Sequence, residues 1–388
     1  MFYDVVIVGA GPSGSYLALS LARRGYQVLV MEKKAAPGTG ICCTGIVSQQ
    51  CVGLLEVPPD LVITPISSVR VISPSGRPFT LQRNDAIACV VDRPALDKLL
   101  AERARAAGVS YAFCTRVSGI AVEEGGVSVR AECAGEDRTC QCSILVIASG
   151  FGSSLPMRLG LGGIADFTVG AQVEVQTGTD ELELYLDQET TPGSFAWLVP
   201  IGGGRGLVGL MTRRHPKQRL SRLLSRLQTK GKIVPAQSQP KCGPIPLRPL
   251  TRTFGNRVLV VGEAAGQVKP LTGGGIYYGA LCAGIAAEVV DRAFRRGDFS
   301  EGTLSSYQRG WQEVLGAELR VGYLFQRIYR NLDNKQVDFL HSLAARCGIA
   351  DFVRGAEPRY FDYHSRAAFG AAKHFARSLL LGLVGMGR

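Results

Sequence analysis

Asp4-Val5-Val6-Ile7-Val8-Gly9-Ala10-Gly11-Pro12-Ser13-Gly14, running on to Met31-Glu32-Lys33-Lys34, is the stretch around which the chain is organised. Val5 to Val8 is an unbroken apolar run, the pattern of a strand buried on both faces of a parallel sheet. Gly9, Gly11 and Gly14 follow it as G-x-G-x-x-G. Ser15 to Arg24 then reads as a helix stopped by Gly25, and Gln27 to Met31 as a second strand ended by Glu32. This order of strand, glycine turn, helix, strand and acid is what makes a glycine motif a dinucleotide site. Gly9 allows the tight turn, Gly11 lets a pyrophosphate approach the backbone, and Gly14 lets helix and strand pack closely. The first helical turn, entered through Pro12 and Ser13, offers free N–H groups and a positive dipole end to the phosphates. Glu32, eighteen residues past Gly14 and followed by Lys33, stands where a carboxylate takes the ribose hydroxyls of an adenosine.

Outward from this unit, the chain of 388 residues is long enough for about two or three domains or subdomains. Hydrophobic content of 46% and a mean hydropathy of +0.12 fit a globular protein. No run reaches the ~18 consecutive apolar residues of a membrane span. The N-terminus enters a core strand at once, which leaves no room for a signal peptide. The eleven cysteines include the adjacent pair Cys42 and Cys43 but no paired C-x-x-C, so buried thiols in a reducing cytoplasm are expected, and no metal site. A net charge of +12 comes without any nucleic-acid motif, so nucleic acid is not expected as a partner. Solubility, an anionic lipid surface and an acidic protein partner all remain open as its meaning.

Further along, Ile41-Cys42-Cys43-Thr44-Gly45 places two cysteines between glycines, either against a cofactor or in a small-residue packing site. Val69–Ser73 and Pro78–Gln82 read as a hairpin. Asp92 reads as the N-cap of a helix to Ala107, with Arg93 at its mouth and Leu96, Leu99, Leu100 and Ala104 as its stripe. Ser143–Ser149 and Val258–Val261 are two more apolar strands, each ended by a glycine turn (Gly150-Phe151-Gly152 and Gly262-Glu263-Ala264-Ala265-Gly266), where ligands of open α/β sheets sit. Cys140 and Cys142, on one strand, should share a face. Between these strands, Thr168–Gln176, Leu182–Leu186, Phe195–Val199 and Gly206–Leu210 read as an inserted, mostly antiparallel sheet. From Gly273-Gly274-Gly275-Ile276 onward the chain turns helical, with Trp311, Val314, Leu315, Leu319, Val321 and Leu324 marking one apolar face. Ala367–Gly385 reads as an amphipathic segment, to pack or to lie on a membrane.

Taken together these motifs resemble the geranylgeranyl reductase family, within the wider group of flavoproteins that includes p-hydroxybenzoate hydroxylase. The resemblance covers roughly residues 1–330. It rests on the amino-terminal unit, on Arg93-Pro94-Ala95-Leu96-Asp97, and on Gly262-Glu263-Ala264-Ala265-Gly266 followed by Pro270-Leu271-Thr272-Gly273-Gly274-Gly275-Ile276. Pro192-Gly193-Ser194-Phe195-Ala196-Trp197-Leu198-Val199-Pro200 resembles the reductases' P-x-x-Y-x-W-x-F-P, and Cys42-Cys43-Thr44-Gly45 their C-G-x-G loop. Departures are Glu263 for Asp, Ser149 for the Asp of the A-D-G turn, Phe195 for Tyr, Cys43 for Gly, and Gly274 for Glu.

The resemblance implies an α/β, partly α+β, architecture. A Rossmann-like FAD-binding domain spans residues 1–165 and 245–300, with insert elements around 70–95. An antiparallel substrate sheet spans 166–244, and a helical region 301–388. It implies FAD held at Gly9, Gly11, Pro12, Ser13, Gly14, Glu32, Lys33, Cys43, Arg93, Gly262, Glu263, Gly273, Gly274, Gly275 and Ile276. It implies a substrate pocket at Phe195, Leu198 and Pro200, with Cys42 and Trp197 in catalysis. The expected reaction saturates C=C bonds of a prenyl chain in a lipid, quinone or chlorophyll-related substrate, by hydride from reduced flavin plus a proton. NADPH or a reduced ferredoxin-like protein would supply the electrons, and peripheral membrane contact is expected to be compatible with a cytoplasmic protein. A flavin monooxygenase and a membrane-surface, quinone-linked electron carrier are the alternatives on the same scaffold.

Overall fold

A computed structural model describes residues 2–234, 238–367 and 370. Phe2–Val8 lies between Val28–Met31 and Glu136–Ile147, parallel to both. Ser110–Ala112 extends the sheet on one side and Val258–Val260 on the other, also in parallel. Strand order therefore reverses at Phe2–Val8, the switch point where a doubly wound sheet opens a crevice. Period-2 alternation explains the unbroken apolar run. Val5 and Ile7 join Val28, Val30, Ile144 and Val146 beneath helices Pro12–Ala22, Ile276–Arg296 and Glu301–Arg330. Val6 and Val8 join Leu29, Leu145 and Ile147 on the opposite face. There they meet the antiparallel strands Thr115–Val122 and Val127–Cys133, with Cys140 and Cys142 in the same core.

The second sheet has seven strands, in the order Lys241–Pro246, Phe167–Gln176, Arg205–Thr212, Ala196–Pro200, Leu182–Tyr185, Ser68–Ile72, Pro78–Gln82. It reaches beyond residues 166–244, because the 68–82 hairpin adds its edge through one parallel pairing, Leu182–Tyr185 with Ser68–Ile72. One face is covered by helix Pro216–Thr229 through Leu220, Leu223 and Leu227.

A third sheet, Ile46–Ser48, Ala88–Val91 and Val62–Ile66, lies between the first two units. Val47, Cys89 and Val91 face a core shared with Leu96 and Leu100 of helix Arg93–Ala106 and with Ala280. Ile66, Ala88 and Val90 face the free side of the seven-stranded sheet.

Helix Glu301–Arg330 buries Trp311, Leu315, Leu319, Gly322 and Gln326, a three-to-four-residue stripe. Val314 and Leu324 fall off that stripe and are exposed, contrary to the apolar face expected from sequence. Helices Asn334–Arg346 and Ile349–Gly355 follow. Among the described residues no helix is long and apolar enough to cross a membrane. The amphipathic reading of Ala367–Gly385 falls almost wholly outside the described residues.

Candidate functional site

The glycine turn sits at the switch point. A Cβ at Gly14 would lie 2.0 Å from the Gly9 carbonyl oxygen, so helix and turn approach as only glycine permits. A Cβ at Gly11, by contrast, would meet nothing within 4 Å. No side chain caps helix Pro12–Ala22, whose first turn keeps its N–H groups for a ligand. Glu32 is fixed at the strand end: Oε2 accepts from the Ala10 amide (2.8 Å) and Oε1 from the Lys34 amide (2.9 Å). Lys33 is exposed beside it. Ser13 is wedged between Gly262 and Gly279, and a Cβ on either would fall 2.6 or 2.2 Å from its Oγ. The first and last glycine motifs thus close on one another. Open space at Gly11, an uncapped helix end and an anchored carboxylate fit the adenosine diphosphate half of a dinucleotide.

Deeper in the crevice, Arg93 donates to Asp97 Oδ1 at 2.6 Å and hydrogen-bonds the Cys43 side chain. Its Nε, buried, has no partner among the described residues. Burial raises the Asp97 carboxyl, against the pull of Arg93. Burial likewise raises the Glu263 carboxyl, opposed by Arg93 and reinforced by Asp97. An unsatisfied guanidinium N–H beside the Asp97 and Glu263 carboxyls suits the polar ribityl–pyrophosphate stretch of FAD. The Ser149 hydroxyl, also buried without a partner among the described residues, lies just past the end of the neighbouring strand.

Gly273 closes the last turn, with its amide bonded to the Lys269 carbonyl and φ at +74°. A Cβ there would also meet Met211 Sδ and Ile245 Cδ1, both at 3.2 Å. This turn, ending in Gly274 and Gly275 before helix Ile276–Arg296, therefore abuts the free face of the seven-stranded sheet.

The cysteine loop reaches that face too. Gln172 Nε2 donates to the Cys43 carbonyl at 3.0 Å, and Cys42 Sγ donates to the Lys241 carbonyl at 3.4 Å. Burial, with Cys43 and Cys242 nearby, pushes the Cys42 thiol up to about 11, so it carries its proton at neutral pH. Gln172, Gly209 and Trp197 stand opposite one another on successive strands. The Trp197 ring lies over Gly209, where a Cβ would fall 2.4 Å from it, and its buried Nε1 has no partner among the described residues. Phe195 meets it edge-on, at 6.0 Å between ring centres. The structure thus brings Cys42, Cys43, Trp197, Phe195 and the Gly273 turn to one face.

Leu198 is not among them, and its expected place in the pocket is corrected. Adjacent strand residues point to opposite sides, so its side chain joins Leu220, Leu223 and Leu227 beneath the covering helix. Pro200 lines a cavity of about 420 Å³, with Ile66, Val90, Leu182 and Val199 at its apolar side and Ser68, Arg70, Thr80 and Gln82 at its polar side.

Three further residues complete the site. Lys269 donates to Asp362 Oδ1 at 2.5 Å and to the Phe361 carbonyl at 3.1 Å, all from the carboxyl-terminal segment. Phe361 packs against the Trp197 cluster. Gln172, Asp362 and Phe361 carried no motif. Lys269, directly before the Pro270 turn, was the one with a positional signal.

Comparison with known proteins matches residues 4–346 to the family model described as lycopene cyclase protein. Digeranylgeranylglycerophospholipid reductase 2 of Methanothermobacter thermautotrophicus is 34% identical over 88% of this chain and 91% of that protein. Digeranylgeranylglycerophospholipid reductase of Methanocaldococcus jannaschii is 32% identical over 87% and 89%. Among solved structures, a geranylgeranyl bacteriochlorophyll reductase-like protein from Thermoplasma acidophilum superposes with a TM-score of 0.84 at 22% identity, covering 97% of this chain and 96% of that one. The flavin-dependent brominase Bmp2 superposes at 0.69 and 17% identity, over 89% and 93%. At these identities the two structures speak for the fold.

Proposed function

The chain belongs to the geranylgeranyl reductase family, oxidoreductases acting on C=C bonds, and we propose that it saturates the isoprenoid chains of a digeranylgeranyl glycerophospholipid with FAD as resident cofactor. The observation that carries this reading is the convergence of the Gly273 turn, the Cys42–Cys43 loop and Trp197 on one apolar sheet face. An isolated alkene has no carbonyl to polarise, so the protein must supply position, dryness and a proton. Gly9, Gly11, Pro12, Ser13, Gly14 and Glu32, with Lys33 outside them, would hold the adenosine end. Arg93, Cys43, Gly262 and Glu263 would hold the middle, and Gly273, Gly274, Gly275 and Ile276 the ring. When bound and reduced, FAD supplies the hydride. Trp197 and Phe195 wall the chain and exclude water, and Pro200 lines the adjoining cavity. Cys42, protonated beside this face, holds the proton for the second alkene carbon.

Electrons enter from NADPH or from a reduced ferredoxin-like carrier, and the lipid substrate brings the enzyme to a membrane surface. Stopped-flow mixing with saturating NADPH separates the donors: bleaching of the flavin favours NADPH, and an unbleached flavin favours the protein carrier. The reaction itself is tested by incubating dithionite-reduced protein with the prenyl lipid and weighing the product. A gain of two hydrogens per double bond supports the reductase; an added oxygen overturns it in favour of a monooxygenase. Cys42→Ser should cut turnover strongly while leaving FAD bound, and full activity would remove Cys42 from the chemistry.

A further inference from the structure

Helix Asn334–Arg346 has two unlike sides. Inward, Asp338 accepts from the Ser75 hydroxyl at 2.7 Å, and His341 Nε2 lies 3.1 Å from the Val71 carbonyl oxygen. Phe79 meets the His341 ring edge-on, and the Gln188 amide donates to Asn334 Oδ1 at 2.8 Å. These contacts seat the helix on the hairpin Ser68–Gln82. Outward, Phe339 and Leu340 are 67% and 47% exposed. With Leu332, Lys335 and Gln336 they line an open groove of about 390 Å³. On the last turns of the preceding helix, Leu324 and Ile328 are 53% and 50% exposed. Isolated exposed apolar residues are ordinary, but four on consecutive helices, two beside an apolar groove, are not.

The charges around them are mostly of one sign. Arg320, Arg327, Arg330, Lys335 and Arg346 are exposed on the same two helices. The segment between Arg320 and Arg346 holds two acids: exposed Asp333, which caps the helix by accepting from the Gln336 amide, and Asp338, which binds Ser75 and Arg77 on the inward side. Exposed apolar side chains on two helices where exposed cations outnumber exposed acids fit an anionic bilayer, where the former enter the acyl boundary and the latter meet the headgroup phosphates. The hairpin beneath the helix connects this face to the site. Its Ser68, Arg70, Thr80 and Gln82 line the 420 Å³ cavity, which also touches Val90, Leu182 and Val199 of the Trp197 cluster.

We propose that Phe339, Leu340, Leu324 and Ile328, framed by Arg327, Arg330 and Lys335, form the face by which this protein docks on an anionic phospholipid bilayer. Docking there sets the cavity mouth near the surface from which a prenyl lipid enters. The proposal rests on the lipid-reductase reading for its purpose, but its test does not depend on turnover.

The full chain carrying its flavin is sedimented with vesicles of equal phosphatidylglycerol and phosphatidylcholine, and with phosphatidylcholine alone. Binding to the anionic vesicles is expected, weakening as salt rises. Phe339→Asp with Leu340→Asp should weaken it about tenfold or more, with flavin absorbance and turnover on detergent-dispersed prenyl lipid retained. Lys335→Glu with Arg327→Glu should weaken binding to the anionic vesicles and remove most of its salt dependence. Undiminished binding by the Phe339/Leu340 variant overturns the proposal. So does loss of binding on Leu380→Asp when that variant still binds, which moves the contact to the terminal stretch. A wild-type dimer dissociated by Phe339→Asp, with no vesicle binding, also overturns it in favour of a second copy of this chain. Vesicle binding without any saturation of the dispersed lipid would sink the reductase reading and leave the docking face standing.

Discussion

Gln172 and Trp197 stand in one cross-strand row of the seven-stranded sheet, with Gly209 alone between them. Opposed residues share a face. The amide that holds the Cys43 carbonyl therefore lies on the same side as the indole that walls the apolar space. The position of the cysteine loop relative to Trp197 is set by strand register, and a rigid sheet holds position more closely than a loop does.

Gln172→Leu keeps the volume and removes the donor. It leaves the Cys43 carbonyl without its partner, at a cost of about 1–3 kcal/mol. The protein should fold and retain FAD, while turnover falls on the order of tenfold to a hundredfold as the loop shifts. Measuring kcat together with flavin content checks this, and wild-type turnover would mean that loop position does not govern the chemistry.

Gly209→Ala places a methyl group where the Trp197 ring now lies. Overpacking of this kind costs about 1–3 kcal/mol. A lower Tm and a shift in tryptophan emission are expected. The other tryptophan, Trp311, is buried with its Nε1 donating to Thr253 Oγ1 at 2.9 Å, so an emission change reports on Trp197.

Arg93→Met strands the Asp97 carboxyl in a buried site, which should destabilise the protein by about 3–5 kcal/mol and release FAD. Adding Asp97→Leu should recover part of the stability, since the Asp97 charge is then gone while the buried Glu263 carboxyl still lacks Arg93, but not the FAD. Chemical denaturation of both variants, beside flavin content, separates the two effects. Equal stability losses in the single and double variants would show that the pair is not the cause.

Cys42 should react late with thiol reagents. With its thiol near 11 rather than the ordinary 9, about one part in a hundred is thiolate at pH 9. Alkylation of the Cys42 peptide, followed by mass spectrometry against pH, should rise only above pH 10, after the exposed Cys114 and Cys242. Rapid labelling at pH 8 would contradict a half-buried, protonated thiol.

The nucleotide-binding half was legible because its physics is local. Four apolar residues, three glycines and an acid occupy one short segment, and each has a backbone or packing reason to be there. The seven-stranded sheet was less legible. All five residues of Ala196–Pro200 are buried, so alternation gave no clue that Leu198 and Trp197 part to opposite faces. Gln172 looks like any polar residue in a strand until register brings it to Cys43. Asp362 meets Lys269 across more than ninety residues of chain, a separation that no spacing rule spans.

The small sheet formed by residues 46–48, 62–66 and 88–91 contributes side chains to two cores at once. Neither the nucleotide-binding half nor the seven-stranded sheet can finish its interior until this wedge is seated, and its strands are interleaved in sequence with the hairpin that edges the seven-stranded sheet. The wedge therefore couples the two halves during unfolding: denaturant should melt them in a single cooperative transition, seen alike by far-ultraviolet dichroism and by Trp197 emission, and not as two domains lost in turn.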